Sequence, residues 1–236
     1  MTEWSFEVPI PHLDDFDEFQ DYYFMLSMLY KKSREYRNFH DQKPKELKWL
    51  DNSYNEQMRA DRGDELLDLF YVSNACKVIS PDSPEWNGKQ LRDAFLFMNQ
   101  VLKPEEIIVV TKHIQLRDYL AGFGAVNFAA SYWTRPKEII NFNPILESHL
   151  LGDIHFLGLL SMWELSYFNP LTCDTSMPIK LAIQDKTMLD WLAEGCPHIH
   201  TKDLGPQGSS FFNTELSPKQ LQLAKDNITW LKNQTR

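Results

Sequence analysis

Clustered basic residues, glycine-rich phosphate loops, paired cysteines and long apolar runs are all missing from this 236-residue chain. Each absence excludes a class of protein. Lys and Arg number 24 against 33 Asp and Glu, a formal net charge of −9, so no broad electrostatic footprint for nucleic acid is visible, and only a local basic rim remains compatible. The three cysteines, Cys76, Cys173 and Cys196, are odd in number and widely spaced. They read as reduced thiols of a cytosolic setting rather than a disulfide framework. No Cys-x-x-Cys supports zinc, and Cys196-Pro-His198-Ile-His200 offers ligands whose strand alternation aligns only the two histidines. There is no Gly-x-Gly-x-x-Gly, no phosphate loop and no Gly-x-Ser-x-Gly nucleophile elbow. The start, Met1-Thr-Glu-Trp-Ser-Phe-Glu, lacks the basic residues and apolar run of a signal peptide. No apolar stretch approaches the ~18 residues of a spanning helix. The expectation is a soluble, cytoplasmic protein without cofactor, metal or membrane partner.

What is present is an alternation without repeats or a dividing linker. Short apolar, β-prone segments occur at Phe24–Met28, Leu47–Leu50, Cys76–Ser80, Ile107–Thr111, Ala125–Ala130, Ile154–Leu157, Leu171–Cys173 and His198–Thr201. Helix-like stretches separate them: Ser33–Gln42, Asp64–Ser73, Lys89–Leu102, Ile114–Ala121, Pro136–Leu150, Met162–Phe168, Pro178–Glu194 and Pro218–Asn233. The last is the best marked, with Ser217 as cap, Pro218 in the first turn, and Leu221, Ala224, Ile228 and Leu231 on one face. Eight β-then-α units imply a parallel sheet, since each crossover returns the chain to the same end. The expected fold is α/β, a compact single-domain (β/α)8 barrel of TIM type over residues 22–236. Such barrels typically run ~250 residues. An open doubly wound sheet is the competitor. Residues 1–21, rich in Asp and Phe, are set outside the barrel as an N-terminal extension or lid.

In such a barrel the C-terminal strand ends share one mouth, where barrel enzymes keep their chemistry. Those ends are polar although the segments feeding them are apolar. Asp51 is followed by Asn52 and Ser53, and Asp82 by Ser83. Lys112 precedes His113, Ser131 precedes Tyr132 and Trp133, Gly158 ends Ile154–Leu157, and Asp174 leads into Thr175 and Ser176. Any one aspartate has a plain alternative role as a strand terminator and helix cap. Three converging carboxylates can instead bind a metal, act as acid, base and nucleophile, or accept hydrogen bonds from a donor-rich ligand.

The residues around these aspartates resemble the tRNA-guanine transglycosylase barrel. Ile154-His-Phe-Leu-Gly-Leu, Glu164-Leu and Cys173-Asp-Thr-Ser-Met-Pro178 are similar to that family's strand ending in a Met-Gly-Val-Gly-type turn, its Pro-x-Asp/Glu-Leu helix start, and its Phe-Asp-Cys-Val-x-Pro. Leu50-Asp-Asn-Ser-Tyr54 resembles its Asp-Ser-Gly-Gly-Phe. The likeness follows the order of elements over residues 22–234 and is nearest to short, barrel-only versions carried by bacteriophages. It implies Asp174 as nucleophile, Asp51 as general acid/base, and Asp82 as the reader of a guanine-like base. Around them, Asn52, Ser83, Lys112, Ser131, Trp133 and Gly158 would contact the substrate. There are departures. The glycine pair after Asp51 is Asn52-Ser53, the glycine loop that cradles the base is replaced by Val126–Trp133, and the zinc subdomain is absent. The family's Arg after the nucleophile is also missing, Lys180 being the nearest cation.

The implied activity is base exchange on a guanine or 7-deazaguanine nucleotide in DNA or tRNA. A carboxylate nucleophile forms a glycosyl ester, a second carboxylate shuttles the proton, and a third accepts base N–H donors. A different class is also compatible, a non-catalytic barrel that binds or sequesters a nucleobase or nucleotide. The acidic balance and the lost base-cradling loop favour that one; retention of all three aspartates favours the enzyme.

Overall fold

The computed structural model describes residues 3–19, 23–27, 34–51, 74–80, 86–111, 114–131, 154–158, 162, 165, 170–197, 199 and 211–234. Eight short strands run through them: β1 (Glu3–Phe6), β2 (Tyr23–Ser27), β3 (Lys48–Asp51), β4 (Lys77–Ile79), β5 (Ile107–Val110), β6 (Asn127–Ser131), β7 (His155–Leu157) and β8 (Thr172–Thr175). Each pairs in parallel with the next, and β8 returns to β1 through Glu3↔Thr172 to Phe6↔Thr175, closing the ring. Several seams are thin. β4 and β5 meet only at Val78↔Ile107 and Ile79↔Ile108, and β7 and β8 at His155↔Thr172 and Phe156↔Cys173.

The regular (β/α)8 barrel of TIM type expected from the sequence is not what forms. That barrel begins its strands at Phe24 and leaves residues 1–21 outside as an N-terminal extension or lid. Instead Trp4-Ser-Phe6 builds the ring itself, between β2 and β8. The first crossover is a 3-10 helix, Ile10–Phe19, not an α-helix. Among the described residues, complete α-helical crossovers occur at three places only. They are α1 (Arg34–Gln42) between β2 and β3, α2 (Gly88–Met98) between β4 and β5, and α3 (Ile114–Ala121) between β5 and β6. Met162 and Leu165 are helical between β7 and β8. The helices expected at Asp64–Ser73 and Pro136–Leu150 lie outside the described residues. With β8 already paired to β1, the ring has no place for a strand at His198–Thr201, of which only Ile199 is described. The missing signal was at the N-terminus, where the aromatic alternation of Trp4 and Phe6 is too short to stand out.

After β8 come α4 (Met177–Ile183), α5 (Met188–Ala193) and α6 (Pro218–Gln234). The sequence suggested one helix over Pro178–Glu194. It breaks at Asp185, whose φ of 55° is left-handed. A capping box then starts α5: Asp190 N donates to the Thr187 hydroxyl at 3.0 Å, and the Asp190 carboxylate accepts from Thr187 N at 2.7 Å. Ser217 caps α6 as expected, its hydroxyl accepting from Gln220 N at 3.3 Å. Asn227 of α6 clamps these helices together. Its Oδ1 accepts from Met188 N (2.9 Å), and its Nδ2 donates to Pro178 O (3.0 Å) and Lys186 O (3.1 Å).

Strand alternation divides the apolar residues into two cores. In Ile107-Ile-Val-Val110 all four side chains are buried. Ile107 and Val109 join Trp4, Phe6, Leu50, Val78, Phe156 and Cys173 in the layer beneath the helices. Ile108 and Val110 join Trp49, Ile79 and Ala129 on the other face. That second face is the inside of the ring, because the rings of Trp49 on β3 and His155 on β7 lie 4.9 Å apart although three strands separate them. The Phe16 and Phe19 rings of the 3-10 helix are buried in the outer layer, so this segment packs as part of the wall. All three cysteines are free thiols. Cys76 donates to Glu46 O and Lys48 O, and burial pushes its thiol up to about 11.

Candidate functional site

Asp174 is the third residue of β8, and its neighbours fix which way it faces. Cys173, one residue earlier, belongs to the outer core, so alternation turns Asp174 into the ring. There it is buried, 5 % exposed, and its Oδ1 accepts two hydrogen bonds, from Gly158 N at 2.9 Å and from His155 Nε2 at 3.1 Å. His155 is itself 3 % exposed, with Nδ1 2.8 Å from the Thr172 hydroxyl. An ionised carboxylate only accepts. The ring proton therefore belongs on Nε2, and in the neutral imidazole Nδ1 accepts from Thr172. A buried carboxylate is costly without such partners.

Lys180 adds a charge. It lies on α4, one and a half turns beyond β8, with Nζ 5.9 Å from the centre of the Phe211 ring. Burial pushes its ammonium below the ordinary lysine range, while the carboxylates of Glu7 and Asp174 pull the other way. Lys180 thus brings a partly desolvated cation to the end of β8, under the influence of Glu7 first and Asp174 second. Thr175 starts that helix by accepting from Met177 N at 3.0 Å.

Asp51 is the last residue of β3, on the same face as Trp49 and in register with Ile79, both inner-core residues. Alternation therefore brings Asp51 and Asp174 to the same inner face, each at the C-terminal end of its strand. In the ring they are separated by β1 and β2. Ser131 ends β6 in register with Leu157, one residue before Gly158. Asp82, Asn52, Ser83, Lys112 and Trp133 lie outside the described residues. So do His198 and His200. Among the described residues, no group of three or more His, Cys, Asp or Glu is disposed to hold a metal ion, and no helix is long and apolar enough to cross a membrane.

Gly158 carries a distinct part. Its φ is +71°, and this turn points its N–H at Asp174. A Cβ there would meet nothing within 4 Å, so substitution is opposed by conformation alone. Gly158→Ala is expected to lose about 1–2 kcal/mol of stability, the cost of a left-handed residue with a Cβ. Gly158→Asn should lose less, because Asn tolerates that region. Urea denaturation of the two variants measures both; equal stability with the parent would mean that the turn is not held in this conformation.

The sequence points to Asp174, Asp51, Gly158 and Ser131 but not to His155 or Thr172. The signal for them was alternation. Ile154 and Phe156 face the outer core, which leaves His155 as a polar residue turned inward from a three-residue strand. Thr172 stands two residues before Asp174, on the same face.

Comparison with protein-family models, with curated proteins and with solved structures finds no match to this chain. The fold and the site define a class on their own terms: an α/β protein with a ring of parallel strands and a buried, doubly hydrogen-bonded carboxylate near the C-terminal end of the ring.

Proposed function

We propose that the chain is a transglycosylase-like enzyme that exchanges the base of a guanine or 7-deazaguanine nucleotide in DNA or tRNA. Asp174 attacks the anomeric carbon, Asp51 gives the proton to the departing base and takes one from the incoming base, and Asp82 accepts from the N–H edge of the base. The observation that carries this reading is the placement of Asp174. It is buried on the inner face of β8 with Oδ1 fixed by Gly158 N and His155 Nε2, and a carboxylate held in this way is the group that forms a glycosyl ester and offsets positive charge on the sugar. Burial strengthens that electrostatic effect. The resemblance of the segments around Asp51 and Asp174 to the tRNA-guanine transglycosylases supports the same assignment. A cytoplasmic setting, the host's if the chain is viral, accords with substrates of this kind.

The test is incubation with labelled guanine and with guanine-containing tRNA or DNA duplex. Incorporation into either polymer is the expected result. No incorporation into either, together with thermal stabilisation by guanine or a guanine nucleotide, would replace the enzyme by a binder. A ligand at 100 times its dissociation constant adds about 2.7 kcal/mol.

A further inference from the structure

His155 has both ring nitrogens occupied inside the strand layer and its ring against Trp49, so it has no nitrogen left for a substrate. Its bond goes to the same oxygen of Asp174 that Gly158 N already holds. Among the described residues, Oδ2 takes neither donor. We infer that His155 is a positioning residue that dedicates Oδ1 to the protein and Oδ2 to the sugar, and thereby makes the Asp174 ester reversible; this rests on the base-exchange reading.

The chemistry shows why. In the first half-reaction Oδ2 forms a bond to the anomeric carbon as the carbon–nitrogen bond to the outgoing base breaks. The electron pair leaves on the base nitrogen, which takes a proton. Oδ1 becomes the ester carbonyl. In the second half-reaction the incoming base nitrogen attacks the same carbon, loses its proton, and the ester C–O pair returns to Asp174 as a carboxylate. Negative charge regrows over both oxygens, and the N–H of His155 stabilises it on Oδ1. Without that donor the departing carboxylate loses a charge-stabilising hydrogen bond. It becomes a better nucleophile and a poorer leaving group, so the second half slows relative to the first. Thr172 serves the same end by keeping the proton on Nε2.

The experiment compares the parent chain with His155→Phe, His155→Gln and Thr172→Val. Guanine-containing tRNA or DNA and labelled guanine are the probes. Turnover and the fraction of chain carrying sugar after a denaturing quench are both read. Phe keeps a ring beside Trp49 but has no donor. Its turnover should fall about 10- to 100-fold, the worth of one hydrogen bond to a charged group. KM for the polymer should change little, and the sugar-bearing fraction should rise. His155→Gln, which retains an N–H donor, should recover part of the turnover. Should the Phe variant fail to fold, Thr172→Val carries the test, with a smaller change in the same direction. A purely structural role for His155 would lower both half-reactions together. An unraised sugar-bearing fraction overturns the inference while leaving base exchange standing. Absence of both exchange and adduct in the parent chain overturns the two together.

Discussion

Asp174→Asn is expected to remove base exchange, by about a thousandfold or more, while leaving the chain folded. The magnitude is that of losing a nucleophile with no substitute within reach. The near-neutral effect on stability follows from the hydrogen bonds. An Asn carbonyl oxygen in the place of Oδ1 still accepts from Gly158 N and from His155 Nε2, so no buried donor is orphaned. Asp174→Ala differs in a way that can be measured. It leaves the buried His155 Nε2 without its acceptor, at about 1–3 kcal/mol, and takes the same acceptor from the half-buried Gly158 N, and should lower stability as well as activity. The pair of variants separates chemistry from architecture. Exchange surviving in Asp174→Asn would remove Asp174 from the nucleophile's role, and an Ala variant as stable as the parent would show that the two donors do not depend on it.

The largest effect on stability is expected at Asn227, far from any chemistry. Its amide satisfies Met188 N, Pro178 O and Lys186 O, joining α6 to the end of β8's helix pair, and it is buried. Asn227→Ala leaves a donor and two acceptors without the amide. At the low end of the range for each unsatisfied group that amounts to about 3 kcal/mol. For a chain of this length it corresponds to a fall of roughly 6–12 °C in Tm. Asn227→Asp should be worse. It keeps the acceptor for Met188 N but turns a carboxylate toward two carbonyl oxygens. With its ionised form disfavoured, that carboxyl has a raised folded-state pKa, so its penalty grows as pH rises above the ordinary carboxylate range and is smallest in acid. Thermal melts across pH read both effects. An Asp variant no worse at neutral pH than in acid would mean that the amide is not enclosed as described.

The legible parts of this fold are those where one strong local signal suffices. Ile107–Val110 announces a buried strand, and Ser217-Pro218 with the apolar face behind it announces α6. Seven of the eight strands lie at or within a residue or two of an apolar segment readable in the sequence. The first strand was not legible, because β1 has four residues and each of its register partners on β8 lies 169 positions away; long-range pairing leaves no local trace. Counting from Phe24 then pushed the last strand to His198–Thr201 and made Asp174 the seventh end rather than the eighth. The break between α4 and α5 was legible in Thr187-Met-Leu-Asp190, a cap sequence overridden by the apolar periodicity on either side. Of the site, the strand-end rule exposed Asp51 and Asp174. It could not expose His155, because a strand-end rule looks past the residue at the strand's start. Alternation alone places it, and only once β7 and β8 are known to be neighbours.

The most direct test of the account is the mass of the chain itself. The protein, mixed with guanine-containing tRNA or DNA in the absence of free base and quenched in denaturant, should carry the polymer or its nuclease-trimmed sugar on one peptide, the one containing Leu171–Pro178, with the modification at Asp174. The Asp174→Asn chain should carry none. A modified residue elsewhere, or an unmodified chain from a preparation that does exchange guanine, would contradict it.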